Sequence, residues 1–247
     1  MVLGASLCHK FKSANLNLFR RLVTCKDICY THCHVTKMDA AKPQYRKVWR
    51  IMKTEVLIVG SGCSGLYCAL QLPRDKKITI ITKADVSSSD SYLAQGGICM
   101  LKNDADYESY FEDTMKAGHY ENDKESVDIM IRSSQDVIKD LLSYGVDFAR
   151  DENGALAFTR EGAHSDKRIL FHEDITGQEI TSKLWAAVQK LSNVTILEYT
   201  TMLDIVEQDN VCCGAVIRKA DGLIETVQAD ETVWACGGIG GLYRHST

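Results

Sequence analysis

Apolar and polar positions become periodic only after Thr54, where Glu55-Val56-Leu57-Ile58-Val59 reads as a buried β-strand. A glycine-spaced turn, Gly60-Ser61-Gly62-Cys63-Ser64-Gly65, follows at once. Leu66, Ala69 and Leu70 then recur at helical spacing, and Lys77 to Thr82 gives a second strand. Ser87 to Ile98 is a polar loop closing on a glycine pair, with Tyr92-Leu93-Ala94 as its anchor against the fold. Two amphipathic helices are predicted, Tyr107 to Ala117 and Ser126 to Tyr144, the second ended by Gly145 as C-cap. His119 between them reads as a solvated turn residue. After a helix from Gly177 to Leu191 the pattern alternates with period two: Val194 to Glu198, Met202 to Glu207, Cys212 to Arg218 and Ile224 to Ala229. Asp209-Asn210 and Asp221-Gly222 mark the turns, and a last short strand, Thr232 to Ala235, runs into a second glycine cluster at Cys236 to Gly241. The order implies an α/β domain, a Rossmann-like βαβ unit joined to a β-meander.

Composition divides the 247 residues in two. Residues 1–52 hold ten Lys and Arg against two acids, a net of +8, whereas residues 53–247 hold 19 bases and 31 acids, a net of −12. A body this acidic excludes non-specific nucleic-acid binding. The basic segment shows no sustained pattern beyond a short amphipathic turn at Leu16, Leu18, Phe19 and Leu22 beside Arg20 and Arg21. Three readings stand for it: a disordered extension or upstream start with Met52 opening the domain, an organelle-targeting peptide, or a metal cluster from Cys25, Cys29, His32 and Cys33. The cysteine and histidine spacing matches no common zinc or iron–sulfur pattern, so no metal site is expected. Ten cysteines without an apolar signal core suggest a reducing, cytoplasmic setting. No apolar run approaches the eighteen residues or so of a membrane span.

The chemistry starts at the first glycine turn. Gly60 permits the tight turn, Gly62 lets backbone approach a pyrophosphate, and Gly65 lets the helix lie close to the strand. The helix start then offers amides and a positive dipole end to the phosphates. The second strand ends in Thr82-Lys83 where a dinucleotide site usually carries an acid, so Lys83 leaves NADP and FAD both open. Asp90-Ser91-Tyr92-Leu93-Ala94-Gln95-Gly96-Gly97 suits a loop that wraps a ligand with backbone amides. Phe158 to Arg168 concentrates charges around a small-residue turn, in which Glu161 can hold an ammonium or take a proton and His164 can orient or relay one. Cys212 and Cys213 are neighbours on a strand and point to opposite faces, so they are not read as a redox pair.

Four motifs in one order carry a resemblance: Ser91 to Ile98, Thr159-Arg160-Glu161-Gly162-Ala163-His164-Ser165, Arg168-Ile169-Leu170 with Asp174-Ile175-Thr176-Gly177, and Gly237-Gly238 through Tyr243. Residues 53–247 resemble the FAD domain of the succinate dehydrogenase/fumarate reductase flavoprotein superfamily, and within it the L-aspartate oxidases. The resemblance implies a flavoenzyme that moves a hydride from Cα of L-aspartate to FAD, giving iminoaspartate for quinolinate and NAD synthesis. Oxygen or fumarate would reoxidise the flavin, and quinolinate synthase would receive the product. It also implies Ser61, Gly62, Cys63 and Ser64 on the FAD pyrophosphate, Lys83 near the adenosine, Asp90 to Gly97 along the isoalloxazine, and Thr201 and Met202 at the adenine end. Glu161 would recognise the substrate ammonium. Asp90 stands where covalent members carry the flavin-linking histidine, so the FAD is expected to be non-covalent. Ala163 replaces a frequent second glycine, and His172 lies one residue later than the family's histidine. Thr247 precedes the family's Asn-Pro and Thr-Gly-Asp-Gly stretch and its capping domain, so the sequence reads as an incomplete FAD-binding domain, inactive alone. The alternatives are a fumarate reductase or succinate dehydrogenase flavoprotein, or a non-catalytic FAD-binding module.

Overall fold

The computed structural model describes residues 51–238 and 242–245. The candidate ligands Cys25, Cys29, His32 and Cys33, with the rest of the basic segment and Ile239 to Gly241 of the second glycine cluster, lie outside the described residues. Strand β1 (Ile51–Val59) starts four residues before the buried run the sequence marks, because Ile51 to Thr54 pair with β8 (Ile224–Trp234) in register from Ile51↔Thr226 to Val59↔Trp234. On its other side β1 pairs with β2 (Ile78–Ile81), and β2 with β5 (Val194–Leu197), all in parallel. Strands β7 (Val211–Arg218) and β6 (Thr201–Gln208) continue the sheet antiparallel, giving the order β5-β2-β1-β8-β7-β6. The β6/β7 ladder shifts register twice, between Met202 and Asp204 and between Ile205 and Glu207.

Two sequence expectations change here. The segments Ile224 to Ala229 and Thr232 to Ala235 are one strand, since the ladder with β1 keeps its register through Glu231 and leaves Asp230 exposed. The stretch after Asp85 is also more regular than a polar loop. Asp85 caps a 3₁₀ turn at Val86–Ser88 by accepting from the Ser88 amide at 3.0 Å. Ser89 caps helix α2 (Asp90–Leu93) by accepting from the Tyr92 amide at 3.2 Å. Serine and aspartate so spaced serve as consecutive helix caps. The short strand β3 (Ile98–Cys99) then pairs with β4 (Ile169–Leu170).

Period-two alternation places Val56 and Ile58 on one face of β1 and Leu57 and Val59 on the other. The first face packs under α1 (Cys63–Gln71), α4 (Lys124–Ser143) and α5 (Thr176–Val188), through Leu66, Leu70, Val137, Leu141, Ile180 and Leu184. On the second face Leu57, Val59 and Ile81 cluster with Ala215, Ile217, Val227 and Ala229 of the meander strands, which continue the same sheet. Between α3 (Tyr107–Ala117) and α4 a smaller cluster gathers Leu101, Tyr110, Met115, Val127 and Ile131. Helix α5 stops three residues short of the expected Leu191, where Leu191 N–H turns back to Val188 at 2.9 Å.

Arg168, which the sequence shows only as one of the charges concentrated between Phe158 and Arg168, is wholly buried. Its Nη2 bonds Asp106 at 2.9 Å and Ser109 at 2.8 Å, its Nη1 bonds Asp113 at 2.5 Å, and its guanidinium lies 5.1 Å from the Tyr110 ring centroid. Asp113 also accepts from the Ser165 amide at 2.7 Å and its hydroxyl at 2.8 Å. Burial pushes the Asp113 carboxyl up, but the bonds from Ser165 and Arg168 outweigh it and hold the group below its ordinary value. Burial first, then the Arg168 charge, lower the His164 imidazole below 6.5 against the pull of Asp113, Glu161 and Asp106.

Replacing Arg168 with Met strands two carboxylates and should cost about 3–5 kcal/mol in urea unfolding; adding Asp106→Leu should recover part of it. Gly65→Val drives a side chain into the Gly60 carbonyl and Ile58, and its thermal unfolding should show a loss of about 1–3 kcal/mol. Because the fold depresses the His164 pKa, its contribution is fully present above 6.5 and is lost as pH falls toward the folded value. His164→Gln should flatten that portion of the stability profile.

Candidate functional site

The carboxyl ends of β2, β1 and β8 meet at the first glycine turn. The chain leaves β1 through α1 to β2, while β8 arrives on the opposite side, so the strand order reverses between β1 and β8. Crevices at such reversals are where open α/β sheets bind ligands. Gly60 has φ +115°, and a Cβ on it would collide with the Ala235 carbonyl just after β8. Ala235 N–H in turn bonds the Val59 carbonyl at 2.9 Å. A Cβ on Gly65 would strike the Gly60 carbonyl, so the start of α1 lies flush with the strand end. Gly62 is the N-cap and contributes no side chain, leaving the first amides of the helix to be met from outside.

One of those amides already has a partner from α2: Cys63 N–H donates to Ser91 Oγ at 3.1 Å. The Cys63 thiol, its pKa raised by burial, lies 3.2 Å from Thr181 Oγ1. Ser61 Oγ donates to Thr82 Oγ1 at 2.8 Å and ties the turn to the end of β2. The Thr82 carbonyl also accepts from the Thr200 amide at 2.8 Å. The exposed Lys83 and the half-buried Thr201 and Met202 therefore gather at one strand end, beside Tyr199, whose hydroxyl donates to Asp85 at 3.3 Å.

Helix α2 closes the other side. Asp90 is exposed, with a carboxylate oxygen 4.0 Å from where a Gly237 Cβ would stand, so it faces Gly237 across the crevice. Ser91, Tyr92 and Ala94 are half-buried, but Leu93 is 65% exposed and does not anchor the segment as the sequence suggests. The anchor is instead Gly177 at the start of α5, whose amide donates to the Ala94 carbonyl at 2.9 Å. A Cβ on Gly177 would clash with the Ser91 and Ala94 carbonyls, so glycine sets the depth of the contact. Gln95 and Gly96 are exposed, and Gly97 is pressed against Ile169 and Leu170 so closely that no side chain fits.

Glu161 is brought to this turn from 64 residues away, its Oε1 accepting from Gly97 N–H at 3.2 Å. His164 does not join it as a relay, because both ring nitrogens are engaged inward. Nδ1 faces Arg168 Nη1 at 3.2 Å, and Nε2 faces the Cys99 thiol at 3.4 Å. Arginine has no acceptor, so Nδ1 must accept and Nε2 carries the proton. Ala163 takes φ +68°, a region that favours glycine and a position where the resemblance leads one to expect it. His172 bonds its Nδ1 to the Asp147 carbonyl and its amide to Thr176 Oγ1, a loop-closing role. Sequence reasoning missed Asp106 and Asp113, which flag themselves only as acids on the same helical side as the buried Tyr110. It also missed Thr181, one turn beyond Gly177 on the buried face of α5.

The cradle suits a dinucleotide diphosphate: Gly60 and Gly65 let strand and helix close on one another, Gly62 puts no side chain at the approach to the helix start, and that start has no side-chain cap. Among the described residues there is no cluster of three or more groups suited to a metal ion, and no helix is long and apolar enough to cross a membrane.

Comparison with known proteins agrees with the crevice. The chain is 44% identical over 193 residues to an L-aspartate oxidase of Clostridium perfringens, covering 78% of this chain and 44% of the relative. It is 42% identical over 196 residues to that of Clostridium acetobutylicum, covering 79% and 45%. The chain thus spans somewhat under half the length of these curated relatives. Among solved structures, a FrdA variant of E. coli quinol fumarate reductase superposes with TM-score 0.75 at 26% identity, over 79% of this chain and 34% of that one. The family described as FAD binding domain matches residues 55–247, from the β1 strand that leads into Gly60 to the glycine cluster after β8, and the chain belongs to that family.

Proposed function

We propose that this chain is the FAD-binding portion of an L-aspartate oxidase, which converts L-aspartate to iminoaspartate. The observation that carries the reading is the seat of Glu161: a carboxylate held by the Gly97 amide at the turn of the Ala94-Gln95-Gly96-Gly97 segment. An acid there suits an α-ammonium, a charge-assisted contact that succinate cannot make. The higher identity to L-aspartate oxidases than to fumarate reductase supports the same choice.

In this reading Ser61, Gly62, Cys63, Ser64 and the neighbouring Gly60 and Gly65 hold the FAD diphosphate at the start of α1. Lys83, Thr201 and Met202 lie toward the adenosine. Asp90, Ser91, Tyr92 and the backbone through Gly97 run along the flavin. Bound FAD supplies the two-electron acceptor. Glu161 orients the substrate ammonium so that Cα–H points into the site. Asp90 offers no nitrogen for a covalent link, which supports non-covalent FAD. Oxidation releases two electrons and two protons from aspartate, and oxygen takes them to become hydrogen peroxide, or fumarate takes them to become succinate. Iminoaspartate then passes to quinolinate synthase. The fumarate reductase or succinate dehydrogenase reading shares the fold but gives the Glu161 seat no substrate cation.

Purified wild-type chain should show a bound-flavin absorption spectrum that Gly62→Val loses, since the added side chain enters the space of Ser91 Oγ and the phosphate approach. In a version extended to the relatives' full length, Glu161→Gln should lose about 1.5–3 kcal/mol of transition-state stabilisation for aspartate, roughly 10- to 150-fold in kcat/KM. Turnover of succinate but not aspartate by the extended wild type would replace this reading with the fumarate reductase one.

A further inference from the structure

The turn that carries Glu161 has almost no packing of its own. Arg160 to Ala163 are exposed, a Cβ on Gly162 would meet nothing within 4 Å, and Ala163 holds a left-handed φ of +68° that a non-glycine residue adopts at a cost. The position of Glu161 therefore rests on polar contacts. Thr159 and Ile169 close the base of the turn by exchanging backbone hydrogen bonds at 2.9 and 3.1 Å. Beyond that base, Lys102 meets Asp166 at 2.6 Å in a solvent-open pair of the kind worth little, and His164 Nε2 meets the Cys99 sulfur, a weak acceptor, at 3.4 Å.

The strong contacts come from Asp113 on α3. Its Oδ2 accepts from the Ser165 amide at 2.7 Å, the Ser165 hydroxyl at 2.8 Å and Arg168 Nη1 at 2.5 Å. Arg168 Nη1 also donates to His164 Nδ1 at 3.2 Å, so one carboxylate oxygen fixes two adjacent residues, Ser165 directly and His164 through the arginine. Hydrogen bonds to an ionised group are roughly twice as strong as neutral ones. Glu161, four residues before Ser165, takes the Gly97 amide on Oε1 at 3.2 Å, and among the described residues its Oε2 makes no hydrogen bond.

We propose that Asp113 is a positioning residue for Glu161, the acid read above as the substrate-ammonium site. By holding Ser165 and His164 it keeps the Glu161 carboxylate on the Gly97 amide with Oε2 open to a cation. Among the described residues no hydrogen bond joins Asp113 to Glu161, so its influence is exerted through the turn. A glutamate free to sample its rotamers loses entropy on capturing an ammonium, whereas one already placed has lost it beforehand. The identity of the cation rests on the L-aspartate oxidase reading; the aiming of Glu161 is a property of this chain alone.

Two measurements test the role. In the 247-residue chain the Gly97 amide proton should shift as the Glu161 carboxylate titrates, and Glu161→Gln should abolish that shift. Asp113→Asn should reduce it several-fold, because an amide has one acceptor oxygen and turns its NH2 group toward donors. Ser165→Ala leaves the Arg168 ion pairs intact and should reduce the shift less, with Ser165→Thr restoring it, which keeps the role testable if Asp113→Asn does not fold. In the extended protein, Asp113→Asn should raise KM for aspartate roughly 3- to 10-fold with kcat little changed, and add no further loss to Glu161→Gln. The inhibition constant of succinate, which has no ammonium, should stay the same. A Gly97 shift of wild-type size in both Asp113→Asn and Ser165→Ala would overturn the proposal. So would an equal loss of affinity for aspartate and succinate, or a fully additive loss in the Glu161→Gln background, since either marks general damage to the fold. Reduced Gly97 shifts in the variants, with an extended wild type that oxidises succinate but not aspartate, would support the aiming by Asp113 and refute the L-aspartate oxidase reading.

Discussion

Three backbone segments meet at Gly60 with no room for a side chain, and the rest of the site takes its position from that contact. The end of β1, the start of α1 and the residue after β8 converge where Gly60 faces the Ala235 carbonyl and Gly65 faces Gly60. A turn so tight keeps the first amides of α1 directly above the sheet, where the dipole end of the helix is least screened. Beside it β8 stays in register with β1 from Thr226 to Trp234, which brings Gly237 opposite Asp90. Bulk at either glycine acts on helix, strand and crevice together.

The second fixed point is electrostatic. Arg168 carries a full charge in a place without water, and Asp106, Asp113, Ser109 and His164 together satisfy its donors. Such a group is costly to bury and costly to leave unpaired, so it specifies one arrangement of its loop rather than adding much net stability. That loop carries Glu161, and Asp113 holds it a second time through Ser165. The exposed acid is therefore aimed by ion pairs buried behind it, between Arg168 and carboxylates at the start of α3 and within it.

Local chemistry makes much of this legible in sequence. The glycine turn between a β-run and a helical period announces itself, because the residues that make the turn are adjacent and the constraint on each is steric. The meander is legible for the same reason, through alternation and turn residues. What escapes is non-local. Residue type and local charge do not tell that Arg168, rather than Arg160 or Lys167, is the buried one, since its carboxylate partners lie 55 and 62 residues away. Leu93 looks like an anchor because apolar residues are usually inside, yet the contact that seats α2 is made by backbone at Ala94 and Gly177. The acidic pair Asp230-Glu231 suggests a break that a fully paired strand does not need.

The two register shifts of β6 bear on how this sheet meets its surroundings. Among the described residues β6 is the outermost strand, with a row of backbone donors and acceptors facing outward and Leu203 and Ile205 exposed, the combination that invites another chain to add itself. The shifts fall on either side of Ile205, and Asp204 and Glu207 sit at them. A strand interrupted at that interval offers no continuous template longer than a few residues, and an incoming partner would also have to accommodate buried negative charge. The irregularity that weakens the β6/β7 ladder thus guards the sheet against growth by self-association.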